Sequence, residues 1–138
     1  MPKNPGTRRG AAAVEFAIVA PFLILLVFGI VEFGRMLMVL ELVSNGAREG
    51  ARKAILPGAG DSTVTVAVDS YMTSVGLQGY TTTITPSATT ATAGTAIKVT
   101  VSIPCDNVTW LPIGGPFSFL TGRSLNLNGV SEMRKEEF

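Results

Sequence analysis

Fifteen consecutive residues, Ala17 to Val31, carry neither a charge nor a polar side chain. Counting back to Ala11 extends the run to twenty-one residues, with Glu15 the one exception. A helix rises about 1.5 Å per residue, so this run is about 30 Å long, the thickness of a bilayer's hydrocarbon core. The pattern predicts a transmembrane helix. Beyond Val31 no breaker occurs before Pro57-Gly58, so one helix is expected over residues 11 to about 56, roughly 70 Å in length. Its first part, about 11–31, would span the membrane and the rest would protrude. Pro21 has no N–H to donate and is expected to kink or loosen the helix near Ala17. It reads either as a tolerated membrane proline or as a weak point used when a subunit leaves the bilayer.

Past the helix the pattern shortens. Residues 57–62 read as a linker, and Asp61-Ser62 as an N-cap for a second helix over about Thr63–Val75. Val64, Val68, Tyr71, Met72 and Val75 recur at spacings of three and four, which gives that helix one apolar face. Gly76 is placed to close it. Tyr80–Pro86 alternates and reads as a strand; Ser87–Thr95 reads as a loop. Ala96–Ile103 is the clearest strand, with Ile97, Val99, Val101 and Ile103 on one side and Lys98, Thr100 and Ser102 on the other. One apolar and one wet face predict an antiparallel sheet. Pro104–Gly122 is irregular but apolar, and its Val108, Trp110, Leu111, Ile113, Phe117, Phe119 and Leu120 are expected to cover the sheet. Arg123–Arg134 reads as a third strand, with Leu125 and Leu127 inward and a bulge at Gly129. The tail Arg134–Phe138 is expected to be solvated. The fold class is therefore α+β: a long N-terminal helix, then a small domain (63–138) of one short helix and about three antiparallel strands.

Charge refines the membrane reading. Residues 1–10 are polar and basic, with Lys3, Arg8 and Arg9. Pro2, Pro5 and Gly6 argue against helix there. These cations outweigh Arg35 at the other flank, which places the C-terminal part outside the cytoplasm. An ordinary secretory signal would need a small-x-small site after the apolar run. The run is followed instead by Glu32-Phe33-Gly34-Arg35-Met36, which is a poor site. Eleven basic and ten acidic residues leave no nucleic-acid footprint. The sequence has no histidine and a single cysteine, Cys105. Triad catalysis, histidine metal sites and an internal disulfide are therefore excluded, and no cofactor motif occurs.

Glu15 is the anomaly. A carboxylate within the hydrocarbon costs about 2.5–3.5 kcal/mol on insertion scales. It lies one turn from the helix start, so it either snorkels to the interface or meets a cation inside the membrane. A second feature is the stripe of Gly46, Gly50 and Ala54 at intervals of four. It permits close approach of another helix or of the small domain itself.

The block Arg8-Arg9-Gly10-Ala11-Ala12-Ala13-Val14-Glu15-Phe16 resembles the cleavage site of a class III signal peptide. With Phe28-Gly29-Ile30-Val31-Glu32-Phe33-Gly34-Arg35 and Asn45-Gly46-Ala47-Arg48-Glu49-Gly50-Ala51-Arg52, it resembles the TadE-like family of tight-adherence (Flp-type) pilus assembly proteins. The resemblance covers residues 8–54. It implies a pilin-like subunit, not an enzyme: residues 1–10 would be a leader cut by a prepilin peptidase between Gly10 and Ala11. Glu15 and Phe16 would then serve processing and assembly. The mature chain would keep eight basic and ten acidic side chains, a net −2. The implied partners are the prepilin peptidase, other minor pilins, the major pilin, inner-membrane platform proteins and the lipid bilayer. The implied location is a bacterial inner membrane, with the C-terminal domain in the periplasm or outside. Two other readings stand beside it: a type II secretion pseudopilin, and a single-pass anchored binding or adhesion module.

Overall fold

The computed structural model describes residues 6–109 and 125–136. The chain divides into two compact units, residues 1–34 and 35–138.

In the first unit the structure is the N-terminal part of α1, a helix that runs over Gly6–Ala54. It begins five residues before the start expected from the leader's composition. Thr7, Arg8 and Arg9 do not break a helix, and Gly10 costs it only about 1 kcal/mol relative to alanine. The helix is uninterrupted through Pro21. Nearly every large apolar side chain here is open: Phe16 and Phe22 are both 70 % exposed and Leu25 is 68 %. Glu32 is the exception at 3 %, and among the described residues its Oε1 has no hydrogen-bond partner.

The second unit is two layers, helices on one face of a sheet, as expected for an antiparallel sheet with a single buried side. The sheet has the order β1 (Thr81–Thr85), β2 (Ala96–Pro104), β3 (Asn126–Arg134), with both pairings antiparallel. Alternation along β2 decides which side is buried. Ile97, Val99, Val101 and Ile103 are at most 1 % exposed, while Lys98 is open to solvent. They meet Val39, Val43, Ala47, Ala51 and Ala54 of α1, and Val64, Val68 and Met72 of α2 (Asp61–Ser74), in one core. Fully burying each valine or isoleucine is worth about 1.5–3 kcal/mol.

Helix ends follow local chemistry. Past Ala54, Leu56 precedes a proline and is biased away from helix. A turn then closes through the Leu56 and Ala59 amides, with Gly58 at φ +72°. At the end of α2, Gly76 takes φ +73°, its N–H bonds Thr73, and the Leu77 N–H reaches back to Met72. That is a Schellman end, which glycine adopts without Cβ strain.

Four expectations for the second unit need correction. Asp61 does not cap α2 from outside: Gly60 is the N-cap, and Asp61 lies in the first turn. Its carboxylate instead accepts from the Ser87 hydroxyl (2.7 Å) and the Ala88 N–H (2.6 Å), tying the β1–β2 loop to the helix. Gly129 marks no bulge, since the β2–β3 register is unbroken from Ala96↔Arg134 to Pro104↔Asn126. A Cβ on Gly129 would lie 2.5 Å from the backbone of Val43 and Ser44, so the glycine lets β3 press directly on α1. Leu125 lies before β3 and is 48 % exposed rather than inward. The tail is only partly free: Arg134 belongs to β3, and the Lys135 ammonium donates to the Ala88 and Ala91 carbonyls at 2.9 and 3.0 Å. The expectations for Trp110, Leu111, Ile113, Phe117, Phe119 and Leu120 lie outside the described residues.

Candidate functional site

The residues singled out by the sequence fall on two stretches of α1 with opposite surroundings. Gly10, Ala11, Glu15, Phe16 and Pro21 belong to the first unit, and all five are exposed. The Gly10–Ala11 peptide bond lies inside α1, and a Cβ at Gly10 would meet nothing within 4 Å. Glu15 sits on the same open, apolar stretch. One helix over Gly10–Ala54 is long and apolar enough to cross a membrane, and its most apolar window is entirely unburied. A soluble protein's core helix would be covered instead. The apolar stretch is compatible with a single-pass membrane anchor.

Gly46, Gly50 and Ala54 belong to the second unit, where they lie against α2 and the sheet. A Cβ on Gly50 would lie 2.6 Å from Val68 Cγ2 and 3.1 Å from Val99 Cγ1. A Cβ on Gly46 would lie 3.0 Å from Met72 Sδ and 3.4 Å from Tyr71 Cδ1. Ala54 is fully buried. Within this chain the stripe's occupants are therefore α2 and β2. The outward face of the same helix stretch is polar: Arg48 donates to Asn45 Oδ1 at 3.2 Å, and Arg52 forks onto Glu49 at 2.6 and 2.9 Å. The Arg52 hydrogen bond lowers the Glu49 pKa, and the same bond raises that of Arg52.

Elsewhere the second unit offers little chemistry. Among the described residues no group of three or more His, Cys, Asp or Glu could hold a metal ion. Cys105 is buried; burial first, and Asp106 second, push its thiol up in pKa, away from the reactive thiolate. Tyr80 donates to Asp69 Oδ1 at 2.8 Å. Burial, reinforced by that carboxylate, pushes the phenol up to about 12. An open groove of about 600 Å³ between α1 and α2 is lined by Glu49, Lys53, Thr63, Val66, Ser70 and Tyr71 among others, with no nucleophile–base pair in it.

Two residues that matter were missed by sequence reasoning. Glu32 and Arg35 read as the polar boundary of the apolar run, yet Glu32 is buried and Arg35 Nε donates to the Val108 carbonyl at 2.6 Å. The available signal was helical phase. Glu32 lies four residues before Met36, seven before Val39 and eleven before Val43, all buried, so it shares their stripe of α1.

No curated protein and no solved structure matches the chain. Residues 10–52, from Gly10 to Arg52, match the model of the TadE-like protein family, the family that this segment resembles in its sequence.

Proposed function

We propose that this chain is a minor pilin or pseudopilin-like subunit in the assembly of a tight-adherence (Flp-type) pilus. Its role is structural rather than catalytic. The observation that carries the reading is the open apolar helix bearing Gly10 and Glu15 inside the segment that matches the TadE-like family. A prepilin peptidase would cut after Gly10, leaving Ala11 with a free ammonium and Glu15 as the fifth residue. Residues 1–10 are then the leader, α1 the anchor, and residues 63–138 the extracytoplasmic domain. The subunit sits in a bacterial inner membrane. The other pilins and the platform proteins are the partners.

The chemistry of the pairing is simple. An unpaired carboxylate in a low-dielectric surrounding is costly, and an ammonium from a neighbouring subunit relieves that cost only at one axial offset. Glu15 therefore selects register between packed helices. The family match favours this reading over a type II secretion pseudopilin. Glu15→Ala tests it: membrane insertion should persist while pilus assembly is impaired, and normal piliation with this variant would refute the pairing. Replacing residues 11–31 by an unrelated membrane helix separates a subunit from a tether. Loss of function supports the assembly role; full function would make the helix a mere anchor for a binding module.

A further inference from the structure

The β1–β2 loop, Pro86–Thr95, is rich in threonine and alanine, and its one fully buried side chain is the methyl of Ala88. A methyl buries little apolar area, so hydrogen bonds decide the order of this loop. It begins with a turn closed by the Thr90 and Ala91 N–H groups on the Ser87 carbonyl, at 3.2 and 3.0 Å. Two side chains of opposite charge, distant in sequence, grip that turn. Asp61, at the start of α2, accepts from the Ser87 hydroxyl and the Ala88 N–H. Lys135, just past β3, donates to the Ala88 and Ala91 carbonyls. Ala88 is therefore held by an anion at its N–H and by a cation at its C=O. The backbones join in. The Lys135 N–H donates to the Thr95 carbonyl at 2.8 Å, the Gly94 N–H donates to the Lys135 carbonyl at 2.9 Å, and the Asp61 N–H donates to Thr89 Oγ1 at 3.2 Å.

We propose that Asp61 and Lys135 form a two-sided latch that holds this loop as a strap over the entry to α2, and that the strap opens as one piece when either side chain is lost. Hydrogen bonds to charged groups are stronger than those between neutral ones. Here two such grips share the Ala88 residue, so each fixes the geometry that the other needs. The strap lies against the turn into α2: a Cβ on Gly60 would be 3.4 Å from Thr89 Oγ1. Opening needs little apolar surface to be exposed, which makes it a local event rather than a global one. The central strand β2 keeps its pairing to β1 and β3 throughout. The latch lies wholly within the second unit and does not depend on the membrane reading.

Amide hydrogen exchange, resolved by residue on the full chain in detergent micelles, tests the latch. The Ala88 N–H bonds to Asp61, so Lys135→Met leaves that bond's own atoms in place. The Gly94 N–H bonds to the Lys135 carbonyl, so Asp61→Ala leaves that one in place. Lys135→Met should nevertheless speed exchange at Ala88 on the order of tenfold, and Asp61→Ala should do the same at Gly94, as loss of a charged hydrogen bond requires. The double variant should exchange about as fast as the faster single one, because one opening is released rather than two. The Val99 and Val101 amides, on a strand paired on both sides, should keep their rates in all three variants. An unchanged rate at Ala88 in Lys135→Met would overturn the inference, since the two grips would then act separately. Faster exchange at Val99 and Val101 in step with the loop would also overturn it, since the strap would then have no opening of its own.

Discussion

The two stretches of α1 reverse each other's burial. Before Gly34 the helix shows large side chains to the outside: Phe16, Phe22 and Leu25 are more than two-thirds exposed. After Arg35 it hides small ones: Ala47, Ala51 and Ala54 are completely buried, and Gly46 and Gly50 lie with them. A water-soluble fold would bury its phenylalanines and spend alanine freely on the surface. The inversion is intelligible if the two stretches face different solvents. Lipid accepts bulky side chains with no need for a cover. The sheet and α2 instead need a helix surface flat enough to approach, and size, more than hydrophobicity, separates the two.

The comparison breaks first at Gly129. Gly129→Val forces a branched side chain into the Val43–Ser44 backbone, which cannot swing aside. We expect a loss of about 3 kcal/mol or more, read as a lowered denaturation midpoint of the full chain in detergent micelles. Phe22→Ala on the open stretch should leave that midpoint unchanged, because no protein core covers Phe22.

Gly50 and Gly46 sharpen it further. Gly50→Ala meets Val68 at 2.6 Å and Val99 at 3.1 Å, both β-branched and stiff, and should cost about 1–3 kcal/mol. Gly46→Ala meets the flexible end of Met72 at 3.0 Å. There the gain of about 1 kcal/mol in helix propensity offsets the crowding, so thermal melts should show a near-neutral change. Equal losses at the two glycines would contradict the close-approach account.

Tyr80 gives a smaller, pH-dependent effect. Its folded pKa of about 12 lies above the ordinary value near 10. The stabilisation is therefore fully present below pH 10 and is lost as pH rises from about 10 to 12. Denaturation curves at pH 9 and 11.5 should converge in Tyr80→Phe relative to the unmodified chain. Smallest of all is the exposed Arg52–Glu49 pair. Arg52→Ala should produce no measurable shift in midpoint, as for most surface ion pairs.

How much of this was legible in the sequence depends on the range of the forces involved. α1 and β2 announce themselves because period and length are local properties: fifteen apolar residues in a row, and strict alternation from Ile97 to Ile103. The end of α2 was legible for the same reason, since Gly76 acts on its own turn. What escaped was set by distant partners. Asp61 looks like a cap until Ser87 and Ala88, twenty-six and twenty-seven residues away, take its carboxylate. Gly129 looks like a bulge until α1 is laid against β3. Lys135 looks solvated until the Ala88 and Ala91 carbonyls reach it. In the candidate site, Gly10 and Glu15 are legible as a local pattern. The engagement of Arg35 by Val108 is not, because Val108 lies seventy-three residues from it.

The proposed role depends on a new amine appearing close to Glu15. Intact mass and N-terminal sequencing of the chain isolated from membranes of cells that carry a prepilin peptidase test this most directly. A mature protein beginning at Ala11 is the predicted result; a membrane-resident chain that still begins at Met1 would contradict it.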